Sequence, residues 1–499
     1  MGEMTLHQRA QAAQQRAAQR DLKGALALIE SAPPEQAAEL LPMRIAYLKA
    51  LDRRDDVAAI RRQQVESHPK SAIAHHNLAS ALGDMGRNEE ALFHAQQAMA
   101  LGSDAPETWI VLARALQALQ RFEEAIEAFR QVLARRSDYA EAVTELAQMI
   151  WLTGGEVHQA RQPHLDALAR HPAHPVLLRG LATFNEYVGM DPRENWRDLT
   201  DRAKNASGQS AAVETVANYL ALKFDPALAL RHAERAVDMA GQDLAAWTML
   251  AQSLLVNNRA NEALEILPQL IAAAPEDQSL LAYHATAMRM LGRADPLGLD
   301  NGDALIRAAN IDTPEGWADL PAYLADLKIA LERQHSFVRH PIGQSLRHGT
   351  QTPVDLRRVD DPVIQAFFTA IDGPIRQYLS ALGQGNDPLR RRHTGGYRIA
   401  GCWSVRLGSG GFHEQHIHPQ GWLSSACYID IPEAVDRGHE GWIDFGVPPF
   451  YLANPLEPLK LEKPTPGKLV LFPSCMWHGT LPFEDPRPRL TIAFDVVPD

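Results

Sequence analysis

The sequence predicts two kinds of structure in one chain of 499 residues: an all-α solenoid of paired helices, then a double-stranded β-helix (jelly roll) domain with flanking helices. Two observations lead to this prediction. Small residues recur about every 34 positions through the first three hundred residues, as stacked helical hairpins require. From Tyr397 the pattern changes to short apolar or alternating runs separated by Gly and Pro, which is typical of β-strands.

The helical repeat is visible in the spacing of aromatic, aliphatic and small residues. Leu112 and Ala125 lie at +3 and +16 from Trp109, and Leu250 and Ala263 repeat that spacing after Trp247. Successive anchor alanines are separated by 34, 32, 34, 35, 69 and 34 residues, and the 69 corresponds to two repeats with a degenerate one around residues 178–196. The anchors are Ala25, Ala59, Ala91, Ala125, Ala160, Ala229 and Ala263.

A period near 34 residues, built from two amphipathic helices, resembles the tetratricopeptide repeat. One hairpin cannot bury its apolar stripe alone, whereas a stack of hairpins can. The resemblance implies about eight repeats over residues 5–293, with the anchor residues in the core. It also implies that function lies on the concave surface, as a groove that binds a protein or peptide partner.

The composition changes between the repeats and the strands. Residues 292–302 contain three glycines and Pro296 and lie outside the 34-residue register, so residues 294–314 are predicted to be a linker or a repeat cap. Two amphipathic helices, at 322–334 and 361–382, come next. The predicted strands are 399–407, 422–431, 442–445, 468–472 and 490–497. Strands after helices indicate a jelly roll, placed at residues 315–499.

Three histidines and one arginine stand out among these strands. His416 and His418 are two residues apart, so in an extended segment both side chains project to one face and can bind one metal ion. An apolar run ends at His478, and Arg489 enters another apolar run. A cation inside a barrel is costly unless it is paired with an anion, so Arg489 indicates an anionic ligand.

This order of residues resembles the iron(II)/2-oxoglutarate oxygenases, and more specifically their bacterial and phage branch, in which the domain often follows tetratricopeptide repeats. The resemblance covers about residues 325–499. It implies iron(II) bound by His416, His418 and His478, with no catalytic residue beyond these ligands. It implies 2-oxoglutarate held by Arg489, with Thr491 and Tyr428 as further contacts.

One departure from the family pattern concerns His418, because the family has Asp or Glu at this position. Three imidazoles can still bind iron(II) on one face. The alternative is that only His416 and His478 bind the metal, with His418 behind them. Arg406 is a second candidate cation, and Asp444 is a candidate neighbour of the metal. His413, His393 and His439 are predicted to be structural residues and not metal ligands.

Composition limits the classes of partner. The net charge of -12 argues against general nucleic-acid binding, which requires an excess of cations. No apolar stretch is long enough for a membrane span or a signal peptide. Three widely spaced cysteines without a CxxC motif suit a reducing cytoplasm. The oligomeric state stays open.

Three functional hypotheses follow from this domain order. The first is a dioxygenase that hydroxylates a protein or peptide recruited by the repeats. The second is an oxygenase that acts on a small molecule, with the repeats used for assembly. The third is a repeat adaptor with an inactive jelly roll, against which His416, His478 and Arg489 argue. The sequence favours the first.

Overall fold

A computed structural model of the chain describes residues 4–19, 21–206, 208 and 210–499. It forms two compact units, Met1–Arg136 and Ser137–Asp499. The first unit is made of helices that each contact the next one along the chain. These helices are α1 (Leu6–Ala18), α2 (Leu22–Glu30), α3 (Pro34–Ala50), α4 (Arg54–Ser67), α5 (Ala72–Asp84), α6 (Asn88–Ala100), α7 (Pro106–Ala118) and α8 (Phe122–Arg135).

The second unit begins with nine helices of the same kind in its described residues. They are α9 (Ala140–Leu152), α10 (Val157–Arg170), α11 (Pro175–Tyr187), α12 (Pro192–Asn205), α13 (Ala211–Ala221), α14 (Pro226–Ala240), α15 (Leu244–Val256), α16 (Ala260–Ala273) and α17 (Gln278–Met290). Six of the seven anchor alanines are completely buried, as the core interpretation requires, but the prediction for Ala59 is wrong. Ala59 is exposed and its neighbour Ala58 is completely buried, so the anchor of that repeat lies one residue earlier, where it faces the core side of the helix.

The degenerate repeat is formed by α11 and α12. Asn195 occupies its anchor position, 35 residues after Ala160 and 34 before Ala229. Its side chain is buried, donates to the carbonyl of Ala182 (2.7 Å) and accepts from Asn185 (3.1 Å). A hydrogen-bonded amide therefore replaces the methyl group, which explains why the alanine spacing skips one repeat.

The rest of the second unit is a two-sheet antiparallel domain with helices on one side. Its elements are α18 (Gly302–Leu305), β1 (Arg307–Asn310), α19 (Leu320–Glu332), β2 (Leu346–Gln351), α20 (Pro362–Leu382), β3 (Tyr397–His413), β4 (Leu423–Asp430), β5 (Ile443–Phe445), β6 (Lys460–Glu462), β7 (Lys468–Pro473), β8 (His478–Thr480) and β9 (Arg489–Pro498). The strand order is β1-β7-β4-β9-β3-β2 in the large sheet and β6-β5-β8 in the small one. The predicted fold class is confirmed.

The alternation of side chains along β9 separates the core from the barrel interior. Ile492, Phe494 and Val496 are buried in a hydrophobic core that includes residues of α19 and α20. Arg489 and Thr491 have the opposite parity, so they face the other side of the sheet. The large sheet thus has one face on helices and one face toward the small sheet, where the candidate site lies.

The segment predicted as a linker or cap, residues 294–314, contributes to the large sheet. Strand β1 pairs antiparallel with β7, with Arg307 opposite Leu471, and Ile311 donates to the carbonyl of Gly467 (2.9 Å). The predicted start of the domain at residue 315 stays a prediction, and a domain that began there would lack strand β1.

Among the described residues, no helix has both the length and the apolar character that crossing a bilayer demands.

Candidate metal and co-substrate site

Three histidine rings come together where the loop after β3 meets the start of β8. His416 and His478 form an isolated antiparallel bridge, with reciprocal backbone hydrogen bonds of 2.9 and 3.0 Å. The ring centroid of His418 lies 5.2 Å from that of His416 and 5.3 Å from that of His478. One candidate ligand atom from each ring lies within 4.8 Å of the other two, so the cluster could hold one metal ion.

Hydrogen bonds fix the orientation of all three rings. His416 Nδ1 donates to the carbonyl of Glu414 (2.8 Å), and His478 Nδ1 donates to that of Met476 (2.9 Å). His418 Nδ1 lies 2.8 Å from a carboxylate oxygen of Asp495. Because carbonyl and carboxylate oxygens accept, each Nδ1 carries the proton, and Nε2 of each ring keeps its lone pair for a metal.

Asp495, on β9, is the carboxylate of this cluster. It also accepts a hydrogen bond from Ser424 Oγ (2.8 Å), and Ser424 Oγ lies 2.9 Å from Ser474 Oγ. The sequence predictions do not include Asp495. The signal that could have found it is parity, because Asp495 lies six residues after Arg489 on a regular strand and therefore faces the same side.

Burial keeps His413, His416 and His478 neutral. It lowers the pKa of His416 to about 3, with a smaller contribution from His418. It also lowers the pKa of His478 and of His413 well below the ordinary value, and the neighbouring histidines act in the same direction. At neutral pH these three imidazoles are therefore neutral, with one ring nitrogen free of a proton, which is the state that binds metals.

Arg489 is a buried cation that has no anionic partner in the described part of the chain. Its side chain is 2% exposed, its Nη1 donates to the carbonyl of Gly441 (2.6 Å), and its Nη2 lies 3.5 Å from Thr480 Oγ1. No carboxylate pairs with it among the described residues, and its Nε has no hydrogen-bond partner there. Burial lowers the pKa of Arg489. An unpaired guanidinium in this position fits a carboxylate ligand.

Tyr428 and Thr491 lie beside Arg489, as the sequence predicts. The guanidinium carbon of Arg489 is 5.9 Å from the centre of the Tyr428 ring, and Tyr428 pairs with Thr491 across β4 and β9. Both side chains are buried, and the Tyr428 hydroxyl has no partner within the described part of the chain. Two unsatisfied donors, the Tyr428 hydroxyl and Arg489 Nε, therefore lie in one region.

The other candidates lie elsewhere or take different roles. Arg406 is exposed on β3, with parity opposite to the buried Val405 and Leu407. Asp444 accepts a hydrogen bond from Gln415 (2.7 Å), the residue before His416. His439 packs on Trp442 and His393 on Trp422, so their structural interpretation agrees with these contacts.

His413 has closer contact with the cluster than the sequence predicts. Its Nδ1 lies 2.9 Å from Ser345 Oγ, and Ser345 Oγ lies 3.3 Å from His416 Nε2. Ser345 comes from the loop before β2, distant in sequence, so no spacing rule connects it with the histidines. The Ser345 hydroxyl thus lies within hydrogen-bond distance of His416 Nε2, the ring nitrogen that keeps its lone pair.

Repeat helices form a wall next to the cluster. The Arg347 guanidinium lies 4.3 Å from the ring centre of Tyr187 on α11, and its Nη2 donates to Glu414 (2.7 Å). Tyr219 on α13 donates to Glu186 (3.0 Å). Arg347 thus connects Tyr187 of the repeats with Glu414, whose carbonyl accepts a hydrogen bond from the His416 ring.

Two family models match the sequence. The model described as "Putative 2OG-Fe(II) oxygenase" matches residues 401–495, a range that includes the three histidines and Arg489. A tetratricopeptide-repeat model matches residues 82–150. No curated protein matches the chain.

Solved structures of helical-repeat proteins are similar to parts of the chain. They include MamA (14% identity, TM-score 0.25), with 39% of this chain and 94% of that chain covered. Pseudomonas aeruginosa pilF has 16% identity and a TM-score of 0.30, with 43% and 96% covered. A tetratricopeptide repeat protein from Parabacteroides merdae has 14% identity and a TM-score of 0.31, with 50% and 98% covered.

The family matches agree with the two kinds of structure described above. The repeat match falls on paired helices, and the oxygenase match runs from β3 to β9. Residues 82–150 thus match the tetratricopeptide-repeat model, and residues 401–495 match the model described as "Putative 2OG-Fe(II) oxygenase".

Proposed function

We propose that this chain is an iron(II)- and 2-oxoglutarate-dependent dioxygenase that hydroxylates a protein or peptide recruited by its repeats. The observation that supports it best is the pairing of a three-histidine cluster with an unpaired buried guanidinium in one barrel. Three imidazole nitrogens suit iron(II) as a donor set, and the charge of the guanidinium suits a carboxylate.

In this proposal each group has named residues. Nε2 of His416, His418 and His478 would hold iron(II), and Arg489 would bind the far carboxylate of 2-oxoglutarate. Iron(II) with 2-oxoglutarate and dioxygen supplies the oxidising chemistry. The chain's own contribution is to orient these groups and to exclude water. Asp495 fixes the tautomer of His418 by accepting from its Nδ1. The Tyr428 hydroxyl, which has no partner among the described residues, would donate a hydrogen bond to the same carboxylate of 2-oxoglutarate.

The repeat wall supports a protein or peptide substrate. Tyr187, Tyr219 and Glu186 lie on repeat helices, and the contact of Arg347 with Tyr187 and Glu414 connects that surface to the histidine cluster. A polypeptide lying along these helices would therefore have a short path to the metal. Remote contacts of this kind position a substrate for reaction.

The test combines binding with product detection. Anaerobic titration of the full chain with iron(II) and then 2-oxoglutarate should show one iron per chain, and aerobic incubation should give succinate. Lysate proteins treated with the enzyme should gain one oxygen atom in mass spectrometry, and a chain with His478→Ala is the control. Succinate that rises with a metabolite extract but not with protein would favour the small-molecule alternative. No iron binding would leave only the adaptor.

The third ligand has its own prediction. His418→Ala should weaken iron(II) binding strongly if His418 is a ligand, whereas unchanged binding and turnover would support the two-histidine alternative. Asp495→Asn should weaken iron(II) binding by roughly 10-fold, because outer carboxylates orient histidine ligands and raise their basicity. Isothermal titration with Mn(II) would measure both, and Asp444→Asn is a matched control at a buried carboxylate outside the cluster.

A further inference from the structure

The residues next to the cluster histidines along the chain face the opposite way, into the repeats. Ile417 lies between His416 and His418, and Trp477 immediately precedes His478. Both belong to the hydrophobic cluster formed by α15, α16 and α17, in which Trp477 is almost completely buried. The strand segments that present the metal ligands on one face are thus packed against repeat helices through the other face.

Trp477 has a specific polar contact in this core. Its Nε1 donates to Thr286 Oγ1 on α17 (3.0 Å), and Thr286 Oγ1 donates in turn to the carbonyl of Ala282 (2.7 Å). Its ring centroid lies 5.9 Å from that of Tyr283 and 6.1 Å from that of Phe450. The hydrogen bond fixes the indole in one orientation within an otherwise apolar environment.

Backbone hydrogen bonds hold the same strand segments. Gln278, at the start of α17, donates its N–H to the carbonyl of Pro419 (3.3 Å), the residue after His418. Arg289, at the end of α17, donates to the carbonyls of Gly446 and Glu457. Gly446 itself donates to the carbonyl of Trp477 (2.7 Å). Helix α17 therefore contacts the segment of His416 and His418 through Gln278 and the segment of His478 through Thr286.

We propose that Trp477 and Thr286 are positioning residues of the metal centre, so that helices α15–α17 form part of that centre. Trp477 and His478 are consecutive residues of one extended segment. Because their side chains leave the same short stretch of backbone, a shift of the indole is expected to move the imidazole. Metal coordination tolerates changes of only about 0.2 Å in ligand distance. This inference rests on the proposed function, because it requires that the histidine cluster binds a metal.

The experiment measures Co(II) binding to the full chain without oxygen, by the affinity and by the visible absorption spectrum. Thr286→Val keeps the shape of the side chain but removes the acceptor of the indole N–H, and we expect roughly 10-fold weaker Co(II) binding and an altered spectrum. Thr286→Ser keeps the hydroxyl and should restore both. Thr248→Val is the matched control, since Thr248 on α15 donates the same kind of hydrogen bond to a carbonyl of its own helix (2.7 Å).

A second variant removes the other partner of the bond. Trp477→Phe should weaken Co(II) binding by a similar factor. The double variant Trp477→Phe/Thr286→Val should bind Co(II) about as well as the single variant with the lower affinity, because both substitutions remove the same hydrogen bond. Both single variants are also expected to lower the thermal midpoint of the metal-free chain.

Three results would decide the matter. Lower thermal midpoints with unchanged Co(II) affinity and spectrum in both single variants would overturn this inference and leave the proposed function intact. Failure of the unaltered chain to bind Co(II) would overturn both. Weaker binding with an altered spectrum in Thr286→Val, restored by Thr286→Ser, would support the positioning role, and if Thr286→Val does not fold, Trp477→Phe gives the same comparison.

Discussion

Replacing His478 by alanine is expected to abolish both iron(II) binding and succinate formation. The variant removes the cluster histidine that comes from β8 and leaves the two from the loop after β3. Binding an octahedral ion on one face requires three ligands, and the two remaining imidazoles supply only two. Equilibrium dialysis with iron(II) under argon, followed by a succinate assay, would measure both losses.

A matched control separates loss of a ligand from loss of any histidine. His439→Ala removes an exposed imidazole that packs on Trp442, outside the cluster, and should bind iron(II) as the unaltered chain does. Circular dichroism of the His478→Ala chain should stay unchanged, because the hydrogen bonds that bridge residues 416 and 478 are between backbone atoms and do not involve the ring. Full turnover by that variant would show that the site assignment is wrong.

Replacing Arg489 by alanine is expected to weaken 2-oxoglutarate binding by about 2–5 kcal/mol, the range for truncating one partner of a buried charge pair. This corresponds to roughly 30- to 5,000-fold in affinity. Iron(II) binding should survive, because the contacts of Arg489 are with Gly441 and Thr480 and not with the histidines. Anaerobic titration of the iron-loaded chain with 2-oxoglutarate would give the affinity.

Two further variants sharpen this result. Arg489→Lys keeps the charge but not the planar fork, so its affinity should lie between those of the unaltered chain and Arg489→Ala. Arg406→Ala removes the exposed rival cation on β3 and should change little. If Arg489→Ala bound 2-oxoglutarate almost normally while Arg406→Ala did not, the carboxylate site would have to be moved to Arg406.

Periodicity is sufficient to predict most of this fold, and its failures have physical causes. The 34-residue spacing of alanines is interrupted at Asn195, where a buried, hydrogen-bonded amide occupies the position of the alanine methyl group. Strand β1 is invisible in the sequence because its four residues, Arg307–Asn310, are all exposed and show no alternation. Its pairing with β7 depends on backbone hydrogen bonds, which leave no side-chain pattern.

The same distinction holds for the candidate site. Strand parity predicts that His416 and His418 face one way and that Arg489 and Thr491 share a face, because these relations are local. Ser345 reaches His416 from a loop 71 residues earlier. Asp495 reaches His418 across 77 residues. Such contacts depend on how the two sheets meet, which no local pattern encodes.

The contact between Asp495 and His418 has an electrostatic consequence for the occupied site that we propose. The two positive charges of iron(II) would be cancelled by the two negative charges of 2-oxoglutarate, and the charge of Arg489 would be cancelled by that of Asp495, six residues along the same face of β9. The whole assembly is then electroneutral, although all three protein ligands are neutral nitrogens. A carboxylate hydrogen-bonded behind a ligand thus balances the interior as a carboxylate ligand would, without occupying a position on the metal.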